Sequence, residues 1–126
     1  MAKVNVRYIV ADLDAAIPFY TEQLGFAVDI HASPGFARLT LGDLNLLLNR
    51  PGGGGGAGRS MSDGSAPEPG GWNRIQLEVD DIEALVEKLR AAGTRFRNDA
   101  IISGNGGKQI LAEDPSGNPI ELFQPF

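Results

Sequence analysis

Side chains able to carry out chemistry are few in this sequence of 126 residues, and their types exclude several classes of reaction. There is no cysteine, which excludes a thiol nucleophile, a zinc–thiolate site and a disulfide framework. The single histidine, His31, cannot complete a metal site that needs two histidines from one chain. Hydrolase chemistry of the Ser–His–Asp or Cys–His type is therefore not expected. We interpret His31 as a surface or strand-end histidine rather than as a metal ligand.

The charge balance restricts the partners. Eleven Lys and Arg against sixteen Asp and Glu give a formal net charge of −5, with a pI near 4.7. This acidity argues against binding to nucleic acid or to an acidic lipid surface. No apolar run approaches the length of a membrane span, and the N-terminus lacks the apolar region of a signal peptide. The sequence therefore predicts one cytoplasmic domain, residues 1–126, with no membrane partner.

Glycine and proline are concentrated in one stretch. Nine of the 17 glycines and three of the eight prolines lie in residues 51–71. This composition predicts a connector between a first module, residues 1–50, and a second module, residues 72–126. Two interpretations are open: a flexible linker, or a mobile flap over a binding site.

The two modules look like repeats of each other. Asp12 aligns with Asp81 at an offset of 69, and residues 46–51 align with residues 120–125 at an offset of 74. A repeat of this length is too long for a solenoid unit. It indicates a duplicated supersecondary unit with a longer loop in the second copy.

Each module begins with the alternation of polar and apolar residues that is typical of a strand packed on one face. A helix follows, with Asp12 or Asp81 as N-cap and Gly25 or Gly93 at its end. Pro18 predicts an irregular or late-starting first helix, because proline removes a helical hydrogen bond. The order βαβββ is then completed in each module by three predicted strands: residues 26–31, 36–41 and 45–49, then 95–100, 109–113 and 120–124.

Two segments resemble the signatures of the vicinal-oxygen-chelate superfamily, which includes glyoxalase I, extradiol dioxygenases, fosfomycin-inactivating enzymes and bleomycin-resistance proteins. Residues 10–26 resemble its V-x-D-L…F-Y…L-G-F pattern, and residues 113–123 its D-P-x-G-N-x-I-E-L pattern. The resemblance implies an α+β fold of two βαβββ modules that form a curved, open, mixed sheet around a site. It also implies a homodimer.

In the metal enzymes of that superfamily, ligands come from the first and last strand of each module. The matching positions here are Asn5, Leu47, Arg74 and Glu121. Only Glu121 is a competent ligand, since Leu47 cannot coordinate a metal and Arg74 is a permanent cation that would repel one. Because catalytic metal sites typically keep three protein ligands, we expect no metal cofactor. The alternative is a divalent metal held by Glu121 with an atypical set drawn from Glu78, Asn5 or Gln76.

Arg74 and Glu121 occupy facing positions in the second module, and two interpretations are open. They form a partly buried ion pair that stabilises a metal-free floor. Alternatively, Arg74 binds a carboxylate or phosphate of a ligand, and Glu121 acts as a general base or accepts from a ligand amine.

Other polar and aromatic residues belong to the same predicted surfaces. These surfaces either bind a small molecule or are merely solvated, as one face of an antiparallel sheet often is. Trp72, the only tryptophan, either stacks on an aromatic ligand or holds a loop or dimer interface. The candidate ligand-binding residues are Asn5, Arg7, Arg38, Leu47, Asn49, Trp72, Arg74, Gln76, Glu121 and Phe123, with Asn45 on the same face.

Our leading hypothesis is a metal-independent protein that binds an antibiotic-like or metabolite ligand, similar to the bleomycin-resistance branch. The second is a lyase, isomerase or dioxygenase of the same superfamily, with Glu121 as its catalytic residue. The third is an interaction module whose site is filled by side chains. A shared fold does not choose among these functions.

Overall fold

Two units, Met1–Gly70 and Gly71–Phe126, make up the chain in the computed structural model, which describes residues 3–54 and 56–126. Each unit contains a strand, a helix and three further strands, as the repeat predicts. Residues 51–70 belong to the first unit.

The first unit contains one mixed sheet of four strands in the order β1-β4-β3-β2. The first strand is parallel to the last, and the other neighbours are antiparallel. Its elements are β1 (Val6–Ile9), α1 (Leu13–Pro18), a π-helix (Phe19–Gln23), β2 (Ala27–Ser33), β3 (Phe36–Leu41) and β4 (Leu44–Asn49).

The second unit repeats this topology in the order β5-β8-β7-β6, again with its first and last strands parallel. Its elements are β5 (Ile75–Glu78), α2 (Ile82–Ala91), β6 (Ile102–Ser103), β7 (Gly107–Glu113) and β8 (Pro119–Pro125).

The register of the parallel strands shows the duplication directly. Arg7 of β1 lies opposite Leu47 of β4, and Gln76 of β5 lies opposite Glu121 of β8. These two pairs are related by the same offsets, 69 and 74, that align the sequences. The predicted repeat is thus confirmed at the level of individual strand partners.

Both helices begin at the predicted aspartates. The side chains of Asp12 and Asp81 accept hydrogen bonds from backbone N–H groups two and three residues further on, at 2.9 and 3.1 Å. Helix α1 starts at Leu13, so the predicted late start is wrong. The predicted irregularity is confirmed: after Pro18, which lacks the N–H of a regular helical turn, the chain continues as the π-helix Phe19–Gln23.

One face of each sheet is buried, and in the second unit α2 contacts β8. In the first unit the buried face includes Tyr8, Leu39 and Leu48, and in the second it includes Ile110 and Ile120. The alternate residues of the strands therefore lie on the other, non-core face, because side chains alternate along a strand. In the part of the chain that the structure describes, no helix is both long and apolar enough to cross a bilayer.

One predicted strand, residues 95–100, is wrong. Phe96 forms only an isolated bridge to β7, and the strand beside β7 is the short β6, Ile102–Ser103. The Asn98 side-chain oxygen accepts the hydrogen bond of Leu111 N at 2.9 Å, where a regular ladder would use a backbone carbonyl. This side-chain bond interrupts the pairing of the predicted strand with β7.

The glycine-rich stretch is folded into turns. Gly52 N donates to Gly58 O at 2.7 Å, and the chain makes a further tight turn over residues 61–65. Gly53 packs against Gly35 of the β2–β3 turn so closely that a Cβ on Gly35 would overlap the Gly53 carbonyl. Glycine is therefore required for this close approach, whether the stretch acts as a linker or as a flap.

Candidate functional site

The strongest polar cluster of the second unit surrounds Glu121, on the non-core face of β8. Arg74 donates to Glu121 Oε1 through Nε at 3.0 Å and through Nη2 at 2.8 Å. Gln76, the strand partner of Glu121, donates through Nε2 to the other oxygen, Oε2. Both carboxylate oxygens therefore have a donor, and the Glu121 side chain is only 11% exposed, against 31% for Arg74.

This arrangement lowers the pKa of Glu121. Burial alone raises the pKa, but the hydrogen bonds from Gln76 and Arg74 and the charge of Arg74 together outweigh that effect. Glu121 is therefore an ionised, stabilised carboxylate at neutral pH. Such a group is a weaker base than an ordinary glutamate, and both of its oxygens already accept hydrogen bonds.

The lowered pKa of Glu121 predicts a pH dependence of stability. Ionised Glu121 stabilises the fold above its unfolded pKa, near 4.5, and this contribution is lost as the pH falls through the folded value. We expect Glu121→Gln to be less stable than the unmodified protein at pH 7, with the difference shrinking below about pH 4.5. Urea denaturation from pH 7 to pH 3 measures it. The exposed Glu68→Gln variant is the control, and a difference that stays constant with pH contradicts the prediction.

Trp72 is exposed but firmly held. The residue as a whole is 69% exposed. The Arg97 guanidinium lies 4.6 Å from the centroid of its ring. Arg74 donates to the Trp72 carbonyl at 3.2 Å, so the arginine that neutralises Glu121 also fixes the backbone here. The Trp72 ring thus has one face against Arg97 and its backbone fixed by Arg74, and the exposed remainder of the indole offers an aromatic surface.

Sequence reasoning missed Arg97, which holds this region together. Its Nε donates to Glu113 Oε2 at 3.0 Å, its Nη2 to Gly117 O at 2.8 Å, and its Nη1 to Gly71 O. The side chain joins the end of the glycine-rich stretch to the β7–β8 turn. The charged residues at 95, 97 and 99 alternate, and this pattern indicates that they share one exposed face. It does not indicate the hydrogen-bond partners of Arg97, which lie 16 to 26 positions away in the sequence.

Phe123 lies two residues beyond Glu121 on β8, so it shares the non-core face with it. It is half-buried and pairs with Glu78 and Gln109 across the strands. The second unit thus brings Gln76, Glu121 and Phe123 together on the strand pair β5–β8, with Trp72 and Arg74 in the loop that leads into β5.

In the first unit, the candidate residues lie in rows across three strands. Leu47 of β4 lies between Arg7 of β1 and Arg38 of β3. Arg38 forms an ion pair with Asp29 at 2.7 Å, with exposures of 38% and 43% for the two side chains. Its Nε is therefore engaged inside the protein, whereas the predicted role needs it to face a ligand.

The three asparagines of this face differ in their bonding. Asn45 donates to the side-chain oxygen of Asn5 at 3.0 Å, which closes one end of the surface. Asn49 at the other end is only 4% exposed, and its side-chain oxygen has no hydrogen-bond partner among the described residues. A buried unpaired amide oxygen is costly and is uncommon in folded proteins.

The residues present do not fit a metal. No group of three or more His, Cys, Asp or Glu side chains that could hold a metal ion occurs within residues 3–54 and 56–126. The one competent ligand predicted, Glu121, has the Arg74 guanidinium 2.8 Å from its Oε1, and this fixed positive charge repels a metal cation at the same carboxylate. His31 is an exposed residue of β2, and Gln76, one of the proposed substitutes, is a hydrogen-bond donor to Glu121 through Nε2.

Comparison with known proteins gives a consistent result. Residues 4–122 match the model of the Glyoxalase/Bleomycin resistance protein/Dioxygenase superfamily. The protein named "Putative glyoxylase CFP32" in Mycobacterium bovis and Mycobacterium tuberculosis is 31% identical over 119 residues. That match covers 90% of this chain but only 41% of the relative, so the chain spans about two-fifths of its curated relatives.

Solved structures share the fold over nearly the whole length. A superfamily member from Sphaerobacter thermophilus has a TM-score of 0.75 and 26% identity, covering 98% of each chain. TnmS3, an antibiotic binding protein from Streptomyces sp. CB03234, has a TM-score of 0.71 and 25% identity, covering 100% of this chain and 99% of its own.

Proposed function

Because the chain belongs to the Glyoxalase/Bleomycin resistance protein/Dioxygenase superfamily, we propose that it binds a small organic molecule without a metal ion. The observation that carries this proposal is the closed cluster at Glu121. Both of its oxygens accept hydrogen bonds from Arg74 and Gln76. A divalent cation would have to displace a guanidinium from a largely buried carboxylate, which costs the ion pair and gains a single protein ligand.

The proposed binding surfaces are the two non-core sheet faces. In the second unit Trp72 and Phe123 supply aromatic area and Gln76 a polar edge, while the Arg74–Glu121 pair forms the floor. In the first unit Asn5, Arg7, Arg38, Leu47 and Asn49 supply the surface. Such a mixture of apolar area with a few polar groups is typical of small-molecule sites. The likeness to TnmS3, which is an antibiotic binding protein, supports a binding role.

The enzymatic alternative draws support from the name of the mycobacterial relative. It needs Glu121 as a base or metal ligand, and the hydrogen bonds that lower its pKa weaken the residue in both roles. A substrate whose turnover is abolished by Glu121→Gln in a folded variant would favour this alternative over binding alone.

Metal loading tests the proposal. We expect no stoichiometric binding of Ni²⁺, Zn²⁺, Mn²⁺ or Fe²⁺ when the purified protein is incubated with each ion and analysed by native mass spectrometry. One tightly held equivalent would overturn the proposal. Arg74→His removes the excluding cation and adds a ligand beside Glu121, so it should gain measurable Ni²⁺ binding in calorimetry. Arg59→His, at an exposed position of the first unit, should not.

The same spectra give the mass of the assembly and of any ligand that co-purifies. We propose a homodimer, on the resemblance to the superfamily, and expect twice the chain mass of 13.3 kDa. The cytoplasmic location stays a prediction.

A further inference from the structure

Arg7 stands apart from the other cations of the candidate surfaces. Arg38 is paired with Asp29, and Arg74 is paired with Glu121. Arg7 is exposed on the non-core face of β1, and its side chain makes no hydrogen bond, ion pair or ring contact with the residues at 3–54 and 56–126. Its guanidinium is therefore available to an anion from outside the chain.

Asn49 supplies a second, independent observation on the same face. Its side-chain oxygen is buried and lacks a donor among the described residues. In the strand register Asn49 pairs with Ile9, and Arg7 pairs with Leu47 two positions earlier. The Arg7 and Asn49 positions are therefore one row apart, about 6 to 7 Å along the sheet. The half-buried Ile9 and Leu47 lie between them.

These positions define a ligand chemistry. A planar guanidinium binds an oxyanion such as a carboxylate through paired N–H donors. A buried amide oxygen needs a hydroxyl or N–H donor. The apolar residues between them favour a flat or aliphatic spacer over a second charge.

We infer that the non-core face of the first sheet holds a subsite for an organic oxyanion, whose charged group pairs with Arg7 while a hydroxyl or N–H group donates to Asn49. The inference rests on the proposed function and names the ligand class that the first unit accepts. Within the described residues, neither the Arg7 guanidinium nor the Asn49 side-chain oxygen has a partner, whereas Arg38, Arg74 and Glu121 each form an ion pair.

A pair of small probes tests the subsite. 4-Hydroxybenzoate carries a carboxylate and a hydroxyl at opposite ends of a flat ring, and benzoate lacks only the hydroxyl. We expect 4-hydroxybenzoate to shift the NMR signals of Arg7 and of the Asn49 side-chain amide, and to bind about three- to tenfold more tightly than benzoate. 4-Hydroxybenzamide, which lacks the anion, should bind about tenfold more weakly than 4-hydroxybenzoate.

Two variants assign the contacts. Arg7→Gln should weaken 4-hydroxybenzoate binding about tenfold, whereas Arg50→Gln should change it less than twofold. Arg50 is an exposed arginine that follows the last residue of β4, so its substitution removes the same charge from outside the strand row that contains Arg7. Asn49→Leu should abolish the preference for 4-hydroxybenzoate over benzoate. If Asn49→Leu does not fold, the two probes and Arg7→Gln still decide the question.

The outcomes separate this inference from the proposed function. Absence of 4-hydroxybenzoate binding, or equal effects of Arg7→Gln and Arg50→Gln, overturns the oxyanion subsite and leaves metal-independent binding standing. Shifts confined to the second unit, at Trp72 and Phe123, have the same meaning. Stoichiometric metal binding overturns the proposed function instead, whatever the probes do in the first unit.

Discussion

Replacing Arg97 with methionine should destabilise the protein by about 3 kcal/mol, a large fraction of the stability of a small domain. The variant keeps most of the side-chain volume but removes the donors to Glu113, Gly71 O and Gly117 O. Two backbone carbonyls lose this donor and Glu113 loses the closer of its two arginines, and unpaired groups cost more than the bonds themselves contributed. Urea denaturation followed by circular dichroism measures the loss.

Arg95→Met is the matched control for this change. Arg95 contacts the same Glu113, but at 3.8 Å and with 70% of its side chain exposed, against 17% for Arg97. We expect it to cost no more than about 0.5 kcal/mol, as exposed ion pairs contribute little. If the two variants were equally stable, Arg97 would not hold the entry loop.

Fluorescence gives a second readout of Arg97→Met, because Trp72 is the only tryptophan. Loss of the guanidinium from one face of the indole should lower its steady-state anisotropy in the folded variant. A positioning role for Arg97 predicts that any ligand stacking on Trp72 binds more weakly to this variant. A purely structural role would leave the anisotropy unchanged under conditions where the protein is folded.

The second large effect is expected at the Arg74–Glu121 pair. Arg74→Met should cost about 2 kcal/mol, because Glu121 is left largely buried with Gln76 as its remaining side-chain donor. This figure lies below that of a fully buried pair, since Arg74 is partly exposed and solvent screens its charge. The double variant Arg74→Met, Glu121→Leu should recover much of the loss, as apolar replacements of buried pairs often do.

A double-mutant cycle on another ion pair calibrates this result. Arg38 and Asp29 lie as close to each other as Arg74 and Glu121 do, but both are more exposed. We expect a coupling energy below about 1 kcal/mol for Arg38–Asp29 and a larger value for Arg74–Glu121. Equal coupling would mean that burial of Glu121 adds nothing and that the pair is free to open for a ligand.

The family-model match confirms the superfamily resemblance and, with it, the fold class. The repeat alone predicted that residues 69 and 74 positions apart would play equivalent parts, and the strand partners Arg7–Leu47 and Gln76–Glu121 confirm it. The turn between β7 and β8 has the Asp and Asn residues that favour turns: the Asp114 side chain accepts from Ser116 N and Asn118 N, both at 2.9 Å. These features are local or periodic, so they are visible in the order of residue types.

The predicted strand at residues 95–100 is wrong because of a side-chain contact that the pattern of residue types does not show. Its alternation is genuine, but the Asn98 side chain replaces a backbone acceptor of the ladder. The ion-pair partner of Arg38, Asp29, was likewise not predictable from the sequence. Register shifts in β2 interrupt the alternation around Asp29, and only strand pairing brings the two residues together.

Most of the elements and their duplication are visible in the amino-acid order, because backbone geometry and solvent exposure act residue by residue. The resemblance to the superfamily adds the prediction that three of the four ligand positions carry no metal-ligand side chain. Which charges are neutralised becomes visible only in the folded chain. Arg74 reaches Glu121 across 47 positions and Arg97 reaches Gly71 across 26. Charge pairing depends on distances of a few ångströms between side chains, and strand register and turn geometry set those distances.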